Sequence, residues 1–223
     1  MLAIDIETLG MLNEIPLPDI SCICMHDEDV DISLRFLDIS EQEYRDSVQI
    51  VINTLDKADR ITGFNVVLFD LEYIKQKFNI HQEKMNAWVK KCVDPFMCAK
   101  YILRSTCKLQ DLLSLNNLQS KTGSGKDAIT LARNKEWEKL LSYCMMDTIL
   151  SRQLCLLKWI KFSNILFGTW TESNGWSFKL NNSEIKYPVE SFQKMSLIEN
   201  LNSMTPLQYN DDFIEYDADD EAQ

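Results

Sequence analysis

Apolar and acidic positions alternate along Leu2-Ala3-Ile4-Asp5-Ile6, which predicts a short strand with Asp5 on the face opposite Leu2, Ile4 and Ile6. Two more β-rich runs follow, DISCICM at 19–25 and VDISLRFLD at 30–38, separated by the acidic turn HDED. A three-strand meander is the simplest reading of this region. Ser40 with Glu43 three places on forms a capping box, and the spacing of Tyr44, Val48, Val51, Ile52 and Leu55 predicts an amphipathic helix to about residue 57.

ITGF at 61–64 reads as a brief buried strand closed by Asn65. Leu68, Phe69, Leu71, Ile74 and Phe78 then recur at helical spacing, so strand and helix on either side of Asn65 imply a parallel crossover. CVD before Pro95 predicts a last short strand. Helical periodicity dominates to about residue 165, broken near KTGSGK at 121–126, and the run from Glu136 to Ile160 is the strongest helix signal in the chain. The pattern as a whole predicts an α/β fold, a mixed sheet of about five strands flanked by helices. Beyond Gly168 the texture changes to Trp, Asn and Ser, with a turn signal at Ser173-Asn174-Gly175. Residues 1–165 are therefore expected to form one domain, 166–208 a C-terminal appendage that is a hairpin or irregular, and 209–223 a disordered acidic tail.

Composition narrows the classes. A chain of 223 residues with 45% hydrophobic content buries one full core. It carries neither a membrane-length apolar run nor a basic, apolar leader, so a soluble intracellular protein of cytoplasm or nucleus is expected, with no membrane partner. Seven cysteines without a C-x-x-C pair read as reduced thiols, and two histidines are too few to favour a zinc site at Cys22 and Cys24. The net charge of −11 is concentrated: residues 209–223 hold seven acids and no base. Between Lys84 and Lys139 eleven Lys/Arg face five acids, which leaves a basic stripe and ordinary solvated helix faces both open.

Hydrolysis of a phosphodiester needs an activated water, neutralised phosphoryl charge and a stabilised leaving group. Two divalent cations about 4 Å apart supply all three. Magnesium takes hard oxygen ligands, so the chemistry calls for separate carboxylates that a fold can gather. Asp5 and Glu7 lie two apart on one strand face, and a central strand has little reason to aim two carboxylates inward without a cation. Asn65 to Asp70 passes from a strand end into a helix. Tyr143 and Asp147, four apart, share a helix face. Singly, each has a plainer explanation: edge-strand charge, helix-dipole acid or surface i,i+4 pair.

Together, D-x-E at Asp5 and Glu7, N-x-x-x-F-D at Asn65, Phe69 and Asp70, and Y-x-x-x-D at Tyr143 and Asp147 resemble the motifs of the DEDD exonucleases of the ribonuclease H-like superfamily. Tyr143 selects the DEDDy branch, since the histidine position of the sister DEDDh group is Ser142 here. The stretch from Lys108 to Thr148, with its lysine and glycine segment before a helix leading into Y-C-x-x-D, is similar to predicted exonucleases related to the family-B polymerase proofreading domain. The resemblance covers about residues 1–165 and implies a ribonuclease H-like three-layer fold. It implies a 3′-to-5′ exonuclease using two Mg²⁺ or Mn²⁺, acting on the 3′ end of single-stranded nucleic acid, with DNA favoured over RNA. It further implies that Asp5 bridges both cations, that Glu7 and Asp147 hold the one that activates water, and that Asp70 serves the other. Tyr143 would orient the attacking water, Asn65 and Phe69 would line the terminal-nucleotide pocket, and Thr8 and Leu9 would contact its sugar and base. With no polymerase or helicase segment attached, such an enzyme is expected to work alone or with a partner.

KTGSGK fails the G-x-x-x-x-G-K-[ST] pattern of a phosphate loop, because Asp127 follows Lys126; a flexible basic loop near the substrate is favoured. Trp159, Trp170 and Trp176 are expected in packing rather than base stacking. The alternative function is a catalytically idle nucleic-acid-binding or scaffolding module whose acidic tail recruits a protein partner.

Overall fold

In the computed structural model the described residues are 1–102, 107–121, 123–163, 166–171, 175–180 and 183–185. The chain divides into Met1–Tyr187 and Pro188–Gln223; the second unit, with the acidic tail, lies outside the described residues.

Strands β1 (Leu2–Thr8), β2 (Ile20–His26) and β3 (Asp31–Arg35) form the expected antiparallel meander. Short strands β4 (Ile61–Thr62) and β5 (Cys92–Val93) add parallel to β1, giving a five-stranded mixed sheet in the order β3-β2-β1-β4-β5. Burial follows sequence: β2 carries six buried residues in a row, as a central strand covered on both faces does.

Helix α1 (Glu41–Lys57) starts at a complete capping box, with Ser40 Oγ accepting from the Glu43 N–H and the Glu43 carboxylate accepting from the Ser40 N–H. It buries Val51 and Leu55. Helices α2 (Asp70–Lys77) and α3 (Gln82–Lys90) provide the crossover between β4 and β5. After β5 come a one-turn helix α4 (Pro95–Met97), a π-helical turn, and helices α5 (Leu109–Leu115) and α6 (Gly125–Arg133).

Helix α7 (Trp137–Leu156) lies across β1 and β2. It packs Leu140, Tyr143 and Cys144 onto Cys22 and Cys24 of β2 and Ala128 and Ala132 of α6. All seven cysteines are free thiols, and among the described residues no helix is long and apolar enough to cross a membrane.

A second, antiparallel sheet of β6 (Ile160–Lys161), β7 (Leu166–Thr171), β8 (Gly175–Leu180) and β9 (Ser183–Ile185) follows. Ser173 and Asn174 of the expected turn lie outside the described residues; Gly175 has φ +63°, the left-handed region that glycine occupies freely. Trp176 meets Phe162 edge-on and packs on the cluster around Leu109 and Leu150.

Candidate metal centre

Asp5 and Glu7 project from the same face of β1, directly opposite Cys24 and Cys22 of β2. That face is roofed by α7. A bulge interrupts the β1–β2 ladder between Glu7 and Thr8, and the Ser21 hydroxyl donates to the Glu7 carbonyl at 2.9 Å to close it. Bulges re-aim side chains where pairing ends. From above, one turn of α7 brings Tyr143 and Asp147 down together, both under 10% exposed. One ligand oxygen each from Asp5, Glu7 and Asp147 lies within 4.8 Å of the others.

Asp70 reaches the same strand from the side. Past Thr62 the β4 chain leaves the β1 ladder, and the Ile6 N–H donates instead to Asp70 Oδ1 at 2.9 Å. Gly63 makes this approach possible, because a Cβ there would stand 2.7 Å from the Ile4 carbonyl oxygen. Asp70 stands beside Asp5 without joining its three-oxygen cluster, and the two repel.

Electrostatics record the crowding. Burial, then repulsion from Asp147, pushes the Asp5 carboxyl from 3.8 to about 8. Glu7 is raised by burial and by Asp5 and Asp147; Asp70 is raised by burial and by Asp5. Asp147 is raised by burial, against the pull of Lys121. Burial and the facing carboxylates Asp147, Glu7 and Asp5 push the Tyr143 phenol far up, so it stays a neutral donor at any working pH. Cys144 donates its thiol proton to the Asp5 backbone carbonyl at 3.4 Å and to Asp5 Oδ2 at 3.5 Å.

Lys121 is the residue that sequence reasoning placed too loosely. Its Nζ lies 2.7 Å from Asp147 Oδ2 and 5.7 Å from the centre of the Tyr143 ring, and it is attracted by Asp5 and Glu7 as well. Its backbone N–H is fixed on Gln110 Oε1 of α5 at 2.8 Å. The first residue of KTGSGK is therefore a counter-charge to the acidic centre, and a Cβ added at Gly123 would stand 3.3 Å from the Tyr143 ring. The only sequence signal was a lysine at the edge of a glycine-containing segment before the Tyr143 helix.

Several lysines of the wider basic stretch have nearby partners. Lys84 pairs with Asp56, Lys135 with Asp38 and Lys139 with Glu136, while Lys91 donates to the Asp56 carbonyl.

The residues expected at a terminal nucleotide are placed unevenly. Thr8 is buried, its hydroxyl donating to the Gly10 carbonyl at 2.6 Å. Leu9 packs against the Tyr143 cluster. Phe69 rests on Tyr73 with ring centres 5.4 Å apart. Asn65 adopts φ +67°, and its side-chain oxygen is buried with no hydrogen-bond partner among the described residues.

The donor set fits a hard cation. Three carboxylates converge, and Asp147 Oδ1 is buried with no hydrogen-bond partner among the described residues, a cost that an inner-sphere cation removes. This buried acidic cluster can hold a metal ion. No protein-family model matches the chain, and no curated protein sequence matches it.

Proposed function

We propose that the protein is a divalent-cation-dependent 3′-to-5′ exonuclease of ribonuclease H-like fold, acting on single-stranded nucleic acid with DNA favoured. The observation that carries this reading is the convergence of Asp5, Glu7 and Asp147 to within 4.8 Å, from segments some 140 residues apart, beside a neutral phenol. The five-stranded mixed sheet flanked by helices supports the ribonuclease H-like architecture that the motifs imply.

Asp5, Glu7 and Asp147 would hold one Mg²⁺ or Mn²⁺, and Asp5 with Asp70 a second. When bound, these cations supply charge neutralisation at the phosphoryl group and a more acidic water. The chain's own groups do the rest. Tyr143, kept protonated by burial and by its acidic neighbours, donates a hydrogen bond that orients the attacking water. Burial of Asp147 and Tyr143 limits bulk water around the reacting bond. The Ile6 N–H fixes the Asp70 carboxylate, so this ligand needs no rearrangement before binding. Asn65, whose side-chain oxygen has no partner among the described residues, and Phe69 are the contacts proposed for the terminal nucleotide.

End-labelled single-stranded DNA and RNA are digested with Mg²⁺, with Mn²⁺ and in excess chelator, with Asp5→Ala protein as control. Stepwise shortening from the 3′ end that needs a cation and vanishes in the variant is expected. Undiminished cleavage in chelator, or by Asp5→Ala, overturns the reading.

One observation favours the second reading, an idle binding or scaffolding module. The Lys121 ammonium at Asp147 already neutralises part of the acidic cluster. In an idle module it would hold that position against cations, and calorimetric titration would find no Mg²⁺ or Mn²⁺ binding.

A further inference from the structure

Asp94 is the last residue before Pro95 and is 4% exposed, a burial that a carboxylate tolerates only when its oxygens are bonded. It accepts four backbone N–H groups. Two come from its own helix, where Oδ1 takes Phe96 at 2.9 Å and Met97 at 3.3 Å as an N-cap. The other two come from far away in sequence: Asn65 donates to Oδ1 at 3.1 Å and Val67 to Oδ2 at 3.2 Å.

Those two donors sit in the turn between β4 and α2. The turn is held under constraint, with Gly63 pressed against the Ile4 carbonyl and Asn65 in the left-handed region that costs a non-glycine residue energy. It ends at Asp70, whose Oδ1 takes the Ile6 N–H of the strand bearing Asp5 and Glu7. Charge-assisted hydrogen bonds thus tie Asp94 to the backbone at 65 and 67 and, three residues further along the same turn, tie Asp70 to β1.

We infer that Asp94 is a positioning residue that holds the 63–69 turn so that Asp70 is presented to the acidic centre. This inference rests on the exonuclease reading for its catalytic meaning, but not for its structural content. Asp94 touches no reacting atom; it acts through Asp70.

Asp94→Ser separates the two duties. A serine hydroxyl still caps α4 but is too short to bridge to Asn65 and Val67. Asp94→Asn is the second variant, because its NH₂ must face backbone N–H donors that the carboxylate accepts. Amide hydrogen exchange is followed by NMR in both variants and in wild type. The Ile6 N–H, a direct reporter of the Asp70 contact, is expected to exchange about tenfold faster in both variants while Val51 in α1 is unchanged. Cleavage is expected to fall about 100-fold in kcat with KM little altered. On an Asp70→Asn background the same Asp94 change should cost less than about twofold, because its route of action is gone.

Unaltered Ile6 exchange in a folded Asp94 variant overturns the inference, as does full additivity with Asp70→Asn. A wild-type protein that cleaves nothing ends the exonuclease reading instead, and the exchange comparison then decides the role of Asp94 alone.

Discussion

Lys121 Nζ lies 2.7 Å from Asp147 Oδ2, so an ammonium from the segment before α6 neutralises a carboxylate on α7 that Asp5 and Glu7 crowd. A lysine there does part of what a divalent cation would do. It lowers the repulsion that three converging acids impose on the fold.

Replacing that charge should expose the conflict. Lys121→Met is expected to destabilise the cation-free protein by about 2 kcal/mol, since a buried carboxylate loses a charged partner. Mg²⁺ should bind about tenfold more tightly, because no ammonium has to be displaced. Thermal denaturation and calorimetric titration with and without Mg²⁺ check both; unchanged cation affinity would show that Lys121 and cations do not share Asp147.

Loss of a ligand should cost more than loss of the phenol. Asp147→Ala is expected to cut cleavage by at least about 10³-fold, several kcal/mol of charge stabilisation at the reacting phosphoryl. Tyr143→Phe should cut it about 10²-fold, the range of a single positioned proton-bonding group, with cation binding retained. Single-turnover rates alongside calorimetry distinguish the two.

Stability of the cation-free protein should fall as pH rises. Folding raises Asp5 from 3.8 to about 8 and Asp94 from 3.8 to about 6, both through burial first, so the native state binds more protons than the unfolded chain across this range. Their contribution is full below about pH 4 and is lost progressively up to about pH 8. Denaturant midpoints from pH 4 to 8 should decline, and Asp5→Asn should flatten the slope. A midpoint that climbs towards pH 8 without added cation would contradict the burial of Asp5.

Cys144 touches the centre from behind. Cys144→Ala removes the thiol donor to Asp5 and some buried volume, and is expected to lower the melting temperature by about 3 °C, equivalent to about 1 kcal/mol for a chain of this size. Cation binding should persist, since the three carboxylates remain. A complete loss of binding would make Cys144 more than a prop for Asp5.

The β1–β3 meander and helices α1, α2 and α7 were legible because they are written in local periods. Alternation exposed β1, a capping box placed the start of α1, and helical spacing gave α7 almost to its ends. The Asp5/Glu7 and Tyr143/Asp147 pairs were legible for the same reason, since period two and period four fix which side chains share a face. Asp94 and Lys121 left no such trace. The partners that matter lie far off in the chain, Asn65 and Val67 for the Asp94 carboxylate and Asp147 for the Lys121 ammonium, and no local period links them.

The sequence by itself determined the β1–β3 meander, helices α1 and α7 and which acids face one way, because those depend on backbone geometry repeated over a few residues; the strand at Ile160 and the four-stranded second sheet were not among them. Only the tertiary structure decided that Asp147 descends onto Asp5 and Glu7, that Asp70 takes the Ile6 N–H rather than joining the cluster, and that Lys121 closes on Asp147. Those relations depend on packing α7 over β1 and on the close approach at Gly63. Packing sums many weak contacts between distant segments, and no short stretch of chain carries that sum.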